Sequence, residues 1–407
     1  MSLPPTRPSI PPGRYRERVA AAQAIATEAG LDAILVGVGP DLRYLTGYAA
    51  MPSERLTMLV IPATGEQVLV APFLEATPAR SCPPAAAGLL QVVTWAEADD
   101  AHALVASIIR DAAGGARAGS SPRSSAGSSA GSSGDIRIAV SDDVPARHLL
   151  RLSERLPGAR LELASPILGR LRIVKDAEEI ALLTEAALAA DRVVAQIAGG
   201  RLVGRTEVDV AREVRERLVA EGHDEAHFAI VGSGPNSASP HHDASERVIE
   251  AGEPIVLDIG GSIEGYGSDI TRTLWVTGGD PANGPDERFR HLFSVLHDAQ
   301  AAATRAVRPG ITPEAVDAAA RDPIEHEGYG EAFFHRTGHG IGLEGHEDPY
   351  IIAGNRDPLR EGMAFSVEPG IYLVGKYGAR IEDIVVCGPD GPIQLNRAPR
   401  ELYIVDG

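Results

Sequence analysis

VLDIGGSIEGYGSDITRT, residues 256–273, is two β-rich runs flanking a glycine-rich turn, and each run carries one aspartate, Asp258 and Asp269. The two acids are equidistant from a centre between Ile263 and Glu264. An antiparallel hairpin about that centre sets them directly opposite each other on one face, with Cβ atoms roughly 4.5–5.5 Å apart. The pattern recurs in FSVEPGIYLVGKYGARIED, residues 365–383, where Glu368 and Glu382 are symmetric about Gly375. Pro369 and Gly370 interrupt that second ladder, because proline lacks the donor and glycine loosens the strand.

Four carboxylates gathered within a few ångströms repel one another and are driven toward protonation unless cations are present. Two divalent ions balance four negative charges, so the acids read as the ligands of a two-metal hydrolase. One imidazole belongs with them. FFHRTGHGIGLEGHE, residues 333–347, supplies His335, His339 and His346. The i, i+4 spacing of the first two suits a helical metal pair, yet Gly338, Gly340 and Gly342 each cost a helix about 1 kcal/mol relative to alanine. A loop running into a strand is expected instead. Ten of the twelve histidines follow residue 222, where the acids also lie. An oxygen-dominated set with a single imidazole favours Mn²⁺, with Co²⁺ or Mg²⁺ next, over Zn²⁺, which prefers more nitrogen and sulfur. A pair of ions about 3.5–4 Å apart would acidify a bridging water into a hydroxide nucleophile.

These segments, together with GARIED and ASPHH, resemble the pita-bread metallopeptidases, in the branch of Xaa-Pro dipeptidases (prolidases) and aminopeptidases P. The resemblance extends over nearly the whole chain and weakens through the N-terminal half. It implies a smaller creatinase-type α/β domain followed by a catalytic domain of pseudo-two-fold antiparallel sheets backed by helices. It implies Asp258 on one ion, Asp269 and Glu382 bridging both, and His339 with Glu368 on the other, with Glu368 also shuttling protons. It places His241 against substrate, and it implies a homodimer or higher assembly. His242 reads as an ordinary polar loop residue. His335 and His346 are expected to steady the tetrahedral oxyanion or the proline side.

The implied substrate has its own physical logic. An Xaa-Pro link is a tertiary amide without an N–H, with cis and trans forms separated by under about 1 kcal/mol. A peptidase that recognises the scissile N–H cannot read it. Arg380 precedes Glu382 by two residues, so in a strand both share a face. Its guanidinium either grips the carboxylate of a dipeptide or orients a metal ligand. The expected activity is hydrolysis of Xaa-Pro dipeptides, with aminopeptidase P action on longer Xaa-Pro-Yaa peptides as the alternative. A pita-bread hydrolase or lyase of a non-peptide substrate and a non-catalytic interaction protein are the readings from other classes. The intact ligand set disfavours the last two, and fold alone could not separate any of them.

Composition excludes some partners. A net charge of -18 over 407 residues argues against nucleic acid and anionic membranes. Two cysteines, Cys82 and Cys387, are too few for a disulfide framework and suit a reducing, cytoplasmic compartment. There is no apolar run long enough to span a bilayer, and MSLPPTRPSIPPG lacks the apolar core of a signal peptide.

Three segments are expected: an arm over 1–13, an α/β domain over 14–170 and a catalytic domain over 171–407. The first domain opens with a helix from Arg14 to about Ala29, a strand in LDAILVG and a hairpin turning at Thr64 and Gly65. Residues 114–135, rich in Gly and Ser, cannot bury enough apolar surface to order themselves and are expected to form a flexible loop. Asp176 with Glu179 has the form of a capping box opening a helix at the domain boundary. Thr206 begins a second helix, Phe289 to Leu296 mark a third, and Thr312 with Pro313 a fourth. Pro323 is expected to break the fourth at Asp322.

Overall fold

A computed structural model of the chain describes residues 7–118 and 136–406. They form two compact units, Ile10–Arg172 and Ile173–Gly407, the second also taking in Met1–Ser9. Arg7 illustrates that last assignment, since its guanidinium donates to Asp224 at 2.9 Å and to the Gly222 carbonyl at 2.8 Å. Pro12 and Gly13, also within the expected arm, already belong to the first helix, Pro12–Glu28.

In the first unit, Gly30 takes φ 69 and turns the chain from that helix into the strand Ala33–Val36. A six-stranded sheet runs in the order Gln91–Trp95, Val68–Pro72, Met58–Pro62, Ala33–Val36, Arg137–Val140 and Arg160–Leu163. Met58–Pro62 and Val68–Pro72 pair about residue 64, as the Thr64-Gly65 turn requires. The four central strands are buried along almost their whole length. Such strands read as continuous apolar runs, a pattern expected where both faces of a sheet are covered. The helix Ala101–Ala118 takes in Gly114 to Ala118, so the start of the Gly/Ser-rich stretch is helical backbone rather than loop. The rest of that stretch, 119–135, lies outside the described residues.

The second unit repeats one plan twice: two helices, then a sheet that buries their apolar stripes. In the first half, Asp176 Oδ1 accepts from the Glu179 amide at 2.9 Å and Glu179 Oε2 accepts from the Asp176 amide at 3.0 Å, completing the box at the start of Ala177–Ala198. Thr206 caps Glu207–Ala220. Val193, Val210, Val214 and Leu218 from these helices pack with Leu257, Ile259 and Leu274 of the sheet Tyr403–Val405, Ile270–Val276, Glu253–Ile263, Glu225–Ser233. In the second half, Leu292, Leu296, Val316 and Ala320 of helices Glu287–Ala306 and Pro313–His326 pack with Phe365 and Val385. Their sheet runs Glu347–Ile351, Gly338–Gly340, Ala364–Val367, Asp383–Gly388, Gly391–Gln394. Each such fully buried aliphatic side chain is worth about 1.5–3 kcal/mol.

Pro323 does not break its helix at Asp322: the helix continues to His326. The proline sits in the last turn, where only the final residues depend on it. Ile324, fully buried in the second core, offsets the lost hydrogen bond.

The first ribbon departs from the expected register. Glu264 and Gly265 both take left-handed φ, 50 and 79, which makes them the two central residues of a tight hairpin turn. The centre therefore lies one residue later than expected. Ile263 pairs with Tyr266 and Asp258 with Thr271, so Asp269 is not directly opposite Asp258. Asp269 falls in a gap in the ladder, diagonal to Asp258. Because the offset is two residues, both carboxylates stay on one face. In the second ribbon Gly370 pairs with Arg380 and Val367 with Asp383, both symmetric about Gly375. The break at Glu368 and Pro369 leaves the register unchanged, and Glu368 faces Glu382 across it.

Candidate active site

Thr271 stitches the two ribbons together. Its carbonyl accepts from the Glu382 amide at 3.1 Å, and its hydroxyl donates to Glu382 Oε2 at 2.7 Å. The histidine segment arrives as a loop leading into the strand Gly338–Gly340. A Cβ on Gly338 would run into the Ser366 carbonyl, and one on Gly340 into the Asp348 carbonyl. Glycine is needed at both positions because the strand is pressed between its neighbours, and that close approach carries the His339 ring to the acids.

Asp269, His339 and Glu382 offer ligand atoms that all lie within 4.8 Å of one another, and all three side chains are buried. Glu368 Oε1 is 3.3 Å from His339 Nε2 and accepts from the Ser366 hydroxyl at 3.1 Å. Asp258 completes the group, with its Oδ2 accepting from Arg380 Nη2 at 2.5 Å. The fold thus brings the five expected side chains to one place. His339 Nδ1–H donates to the Gly340 carbonyl at 3.1 Å, which leaves the Nε2 lone pair facing the carboxylates. Burial, with His346 next, holds the imidazole neutral, pushing it down to about 3.

The donor set fits divalent cations on an independent observation. Asp258 Oδ1 and Glu382 Oε1 are buried with no hydrogen-bond partner among the described residues. Each acid has one oxygen held by the protein and the other left free. A buried unsatisfied acceptor costs about 1–3 kcal/mol, more if charged. Burial, and then the neighbouring carboxylates, push Asp269 and Glu382 well above the ordinary range. Burial pushes Glu368 up to about 7 against the opposing pull of Arg380. Oxygens so arranged are accounted for by a cation among them.

Arg380 is almost wholly buried. Its Nε donates to Thr271 Oγ1 at 3.0 Å, Nη1 to the Tyr372 hydroxyl at 2.8 Å, and Nη2 to Asp258 and the Pro240 carbonyl. Of the two expected roles, this geometry favours orientation of a metal ligand over capture of a substrate carboxylate. The Tyr372 hydroxyl in turn donates to His335 Nε2 at 3.0 Å, and His335 Nδ1–H donates to the Arg336 carbonyl at 2.7 Å. Burial and then Arg380 push His335 down to about 4. Both its nitrogens are engaged, so it has no free N–H for an oxyanion and offers the cavity its ring. His346 is different: it packs edge-on against His339, ring centres 4.1 Å apart, and lines the cavity. His241 lines it from the opposite loop.

Sequence reasoning missed Thr271, Tyr372 and Ser366. Strand periodicity held the signal for all three. Thr271 follows Asp269 by two, Ser366 precedes Glu368 by two, and Tyr372 shares the parity of Glu368 and Arg380.

The cavity over these groups is about 1270 Å³, with Phe228, Ile230, Phe334 and Ile352 as its apolar walls. Cys82 and Cys387 are free and buried, one in each unit. Among the described residues no helix is long and apolar enough to cross a membrane.

Comparison with known proteins supports the same reading. Residues 181–389 match metallopeptidase family M24, and residues 18–174 match the creatinase/prolidase N-terminal domain. The chain is 45% identical over 392 residues to the probable dipeptidase PepE of Mycobacterium tuberculosis, covering 96% of each. It is 32% identical over 368 residues to the Xaa-Pro dipeptidase of Lactobacillus helveticus, covering 89% of this chain and 92% of that one. The crystal structure of dipeptidase PepE from Mycobacterium ulcerans superposes with a TM-score of 0.84 at 44% identity, covering 97% of this chain and 99% of that one. With catalytic and N-terminal segments both matched and the acids gathered around His339, the chain is a metal-dependent peptidase that belongs to metallopeptidase family M24.

Proposed function

We propose that this chain hydrolyses the Xaa-Pro bond of dipeptides, using two divalent ions, Mn²⁺ foremost, held by Asp258, Asp269, His339, Glu368 and Glu382. The observation that carries the reading is the convergence of two ribbons and one histidine segment on a shared cavity, with an unpartnered carboxylate oxygen from each ribbon. The name of the Lactobacillus helveticus relative supports the proline specificity.

When bound, the ions would supply an acidified water as nucleophile and polarise the scissile carbonyl. The chain's own residues do the rest. Thr271 and Arg380 fix one oxygen each of Glu382 and Asp258, so the free oxygens are aimed before any ion arrives. Glu368, whose Oε1 lies 3.3 Å from His339 Nε2 on the cavity wall, is placed to take a proton and pass it to the leaving prolyl nitrogen. An unprotonated amide nitrogen is a poor leaving group, so the C–N bond breaks only when that proton is delivered. His346 and His241, on the cavity wall, are placed to contact substrate. A cytoplasmic homodimer is part of the proposal, resting on cysteine usage and the family resemblance.

Hydrolysis of Gly-Pro, Ala-Pro and an Xaa-Pro-Yaa tripeptide by the Mn²⁺-loaded enzyme tests the substrate. Release of proline from both dipeptides is expected. Cleavage of the tripeptide alone would replace the dipeptidase reading by aminopeptidase P, a reading favoured by a cavity larger than the roughly 300–1,000 Å³ usual for small ligands.

Arg380→Ala should lower turnover on every substrate to the same degree and weaken metal binding, since Asp258 loses its support. A rise in the Michaelis constant confined to dipeptides would instead assign Arg380 to the substrate carboxylate.

A further inference from the structure

Outside the acid cluster, the most heavily bonded carboxylate in the site's surroundings is Glu207, at the start of the helix Glu207–Ala220. It is wholly buried. Its Oε1 accepts from the Ser233 amide at 2.7 Å, the Ser233 hydroxyl at 2.8 Å and Asn236 Nδ2 at 3.1 Å. Its Oε2 accepts from His242 Nε2 at 2.8 Å, the Ser245 hydroxyl at 2.7 Å, the Ser245 amide at 3.1 Å and Asn236 Nδ2 again at 3.1 Å. Every donor belongs to the connection 233–245 between the strands Glu225–Ser233 and Glu253–Ile263. These donors outweigh burial and bring Glu207 down to about 2, so it is charged at neutral pH. Six donor groups on its two oxygens are what allow a buried carboxylate to stay ionised.

The same connection carries Ser239, Pro240 and His241, which line the cavity. His241 makes no side-chain hydrogen bond within the protein among the described residues, so its place is set by its neighbours. His242, which the sequence presents as a plain loop residue, is the neighbour that Glu207 holds.

We propose that Glu207 is a positioning residue: through His242, Asn236 and Ser245 it holds the 233–245 connection in the one shape that presents His241 to substrate. It touches neither substrate nor metal ligand. The role rests on the peptidase reading of the cavity, and it makes Glu207 a determinant of substrate affinity acting from behind the wall.

Glu207→Gln keeps the shape but turns one acceptor into a donor that faces other donors. The expected result has two parts. Hydrogen exchange followed by mass spectrometry should show amides within 234–245 exchanging on the order of tenfold faster or more, with the strand Glu253–Ile263 and the metal content unchanged. For the dipeptide that wild type cleaves, KM should rise on the order of tenfold while kcat stays within about threefold. His242→Gln, which removes a single bond, should shift both readouts the same way by less, and it carries the test if Glu207→Gln does not fold. A lowered melting temperature with exchange in 234–245 and KM both unchanged would overturn the proposal, as would an equal fall in kcat and kcat/KM. The exchange measurement needs no substrate, so failure of the Xaa-Pro assignment would be seen in wild type and would not be confused with failure of the positioning role.

Discussion

Asp269→Asn and Glu382→Gln should each lose bound metal and peptidase activity together, while the metal-free variants fold at least as well as metal-free wild type. Both parts follow from the same geometry. Asp269 and Glu382, with His339, place ligand atoms within 4.8 Å of one another, so each acid lies where it can hold an ion, and the proposed bridging role has each shared by two. Residues that merely support a ligand cost 10–100-fold in metal affinity when removed, as a rough range. Removing a shared ligand should exceed about a hundredfold. An amide in place of Glu382 also gives Thr271 a weaker acceptor and can aim its NH₂ at the cation position. Stability moves the other way, because the metal-free protein holds these acids crowded and buried. Neutralising one relieves repulsion that Arg380 only partly offsets. Metal content by elemental analysis, turnover and thermal unfolding in chelator separate the effects. A variant that keeps both ions or wild-type turnover would remove the bridging role, and one that simply unfolds would make the acids structural.

How far the chain's chemistry is legible before folding depends on which interactions set each feature. The capping box at Asp176 and Glu179 is local, and it stands as spaced. The Glu368–Glu382 ribbon was readable because its turn is centred on a single glycine and the pairing on both sides obeys that centre. The first ribbon turns one residue later than its symmetry suggests because Glu264, not a residue with an evident taste for left-handed φ, shares the turn with Gly265. Sequence alone offers four glycines nearby and no way to choose. Pro323 does not end its helix because the helix end is held by the core around Ile324, and such packing has no local signature. Arg380 was seen on the right face, but its choice between Asp258 and a substrate depends on a partner 122 residues earlier in the chain. Glu207 was invisible for the same reason: its donors lie 26 to 38 residues away, and nothing in TEVDV announces a buried charge.

The pH dependence of metal-free stability offers a second large effect with a definite sign. Glu368 is pushed up to about 7 from its ordinary value of 4.5, chiefly by burial. The folded chain therefore holds a proton there that the unfolded chain releases, between roughly pH 4.5 and 7. The contribution is intact below the unfolded value and is lost as pH rises through the folded one. At about 1.4 kcal/mol per pH unit the loss approaches roughly 3 kcal/mol by pH 8, taken as an upper figure. His335 and His339 act in the opposite direction, since burial pushes them down to about 4 and about 3, so their share of stability is lost as pH falls below the unfolded value of 6.5. A bare melting curve would mix the two. Comparison of wild type with Glu368→Gln, both in chelator, isolates the acid because the histidines are common to both. The variant's melting temperature should exceed wild type's by a margin that widens from pH 5 to pH 8. Saturating Mn²⁺ should reverse the order at pH 8, because wild type then exchanges its buried repulsion for a cation and the amide cannot. Parallel metal-free curves across that range would mean that Glu368 is not desolvated among the other acids.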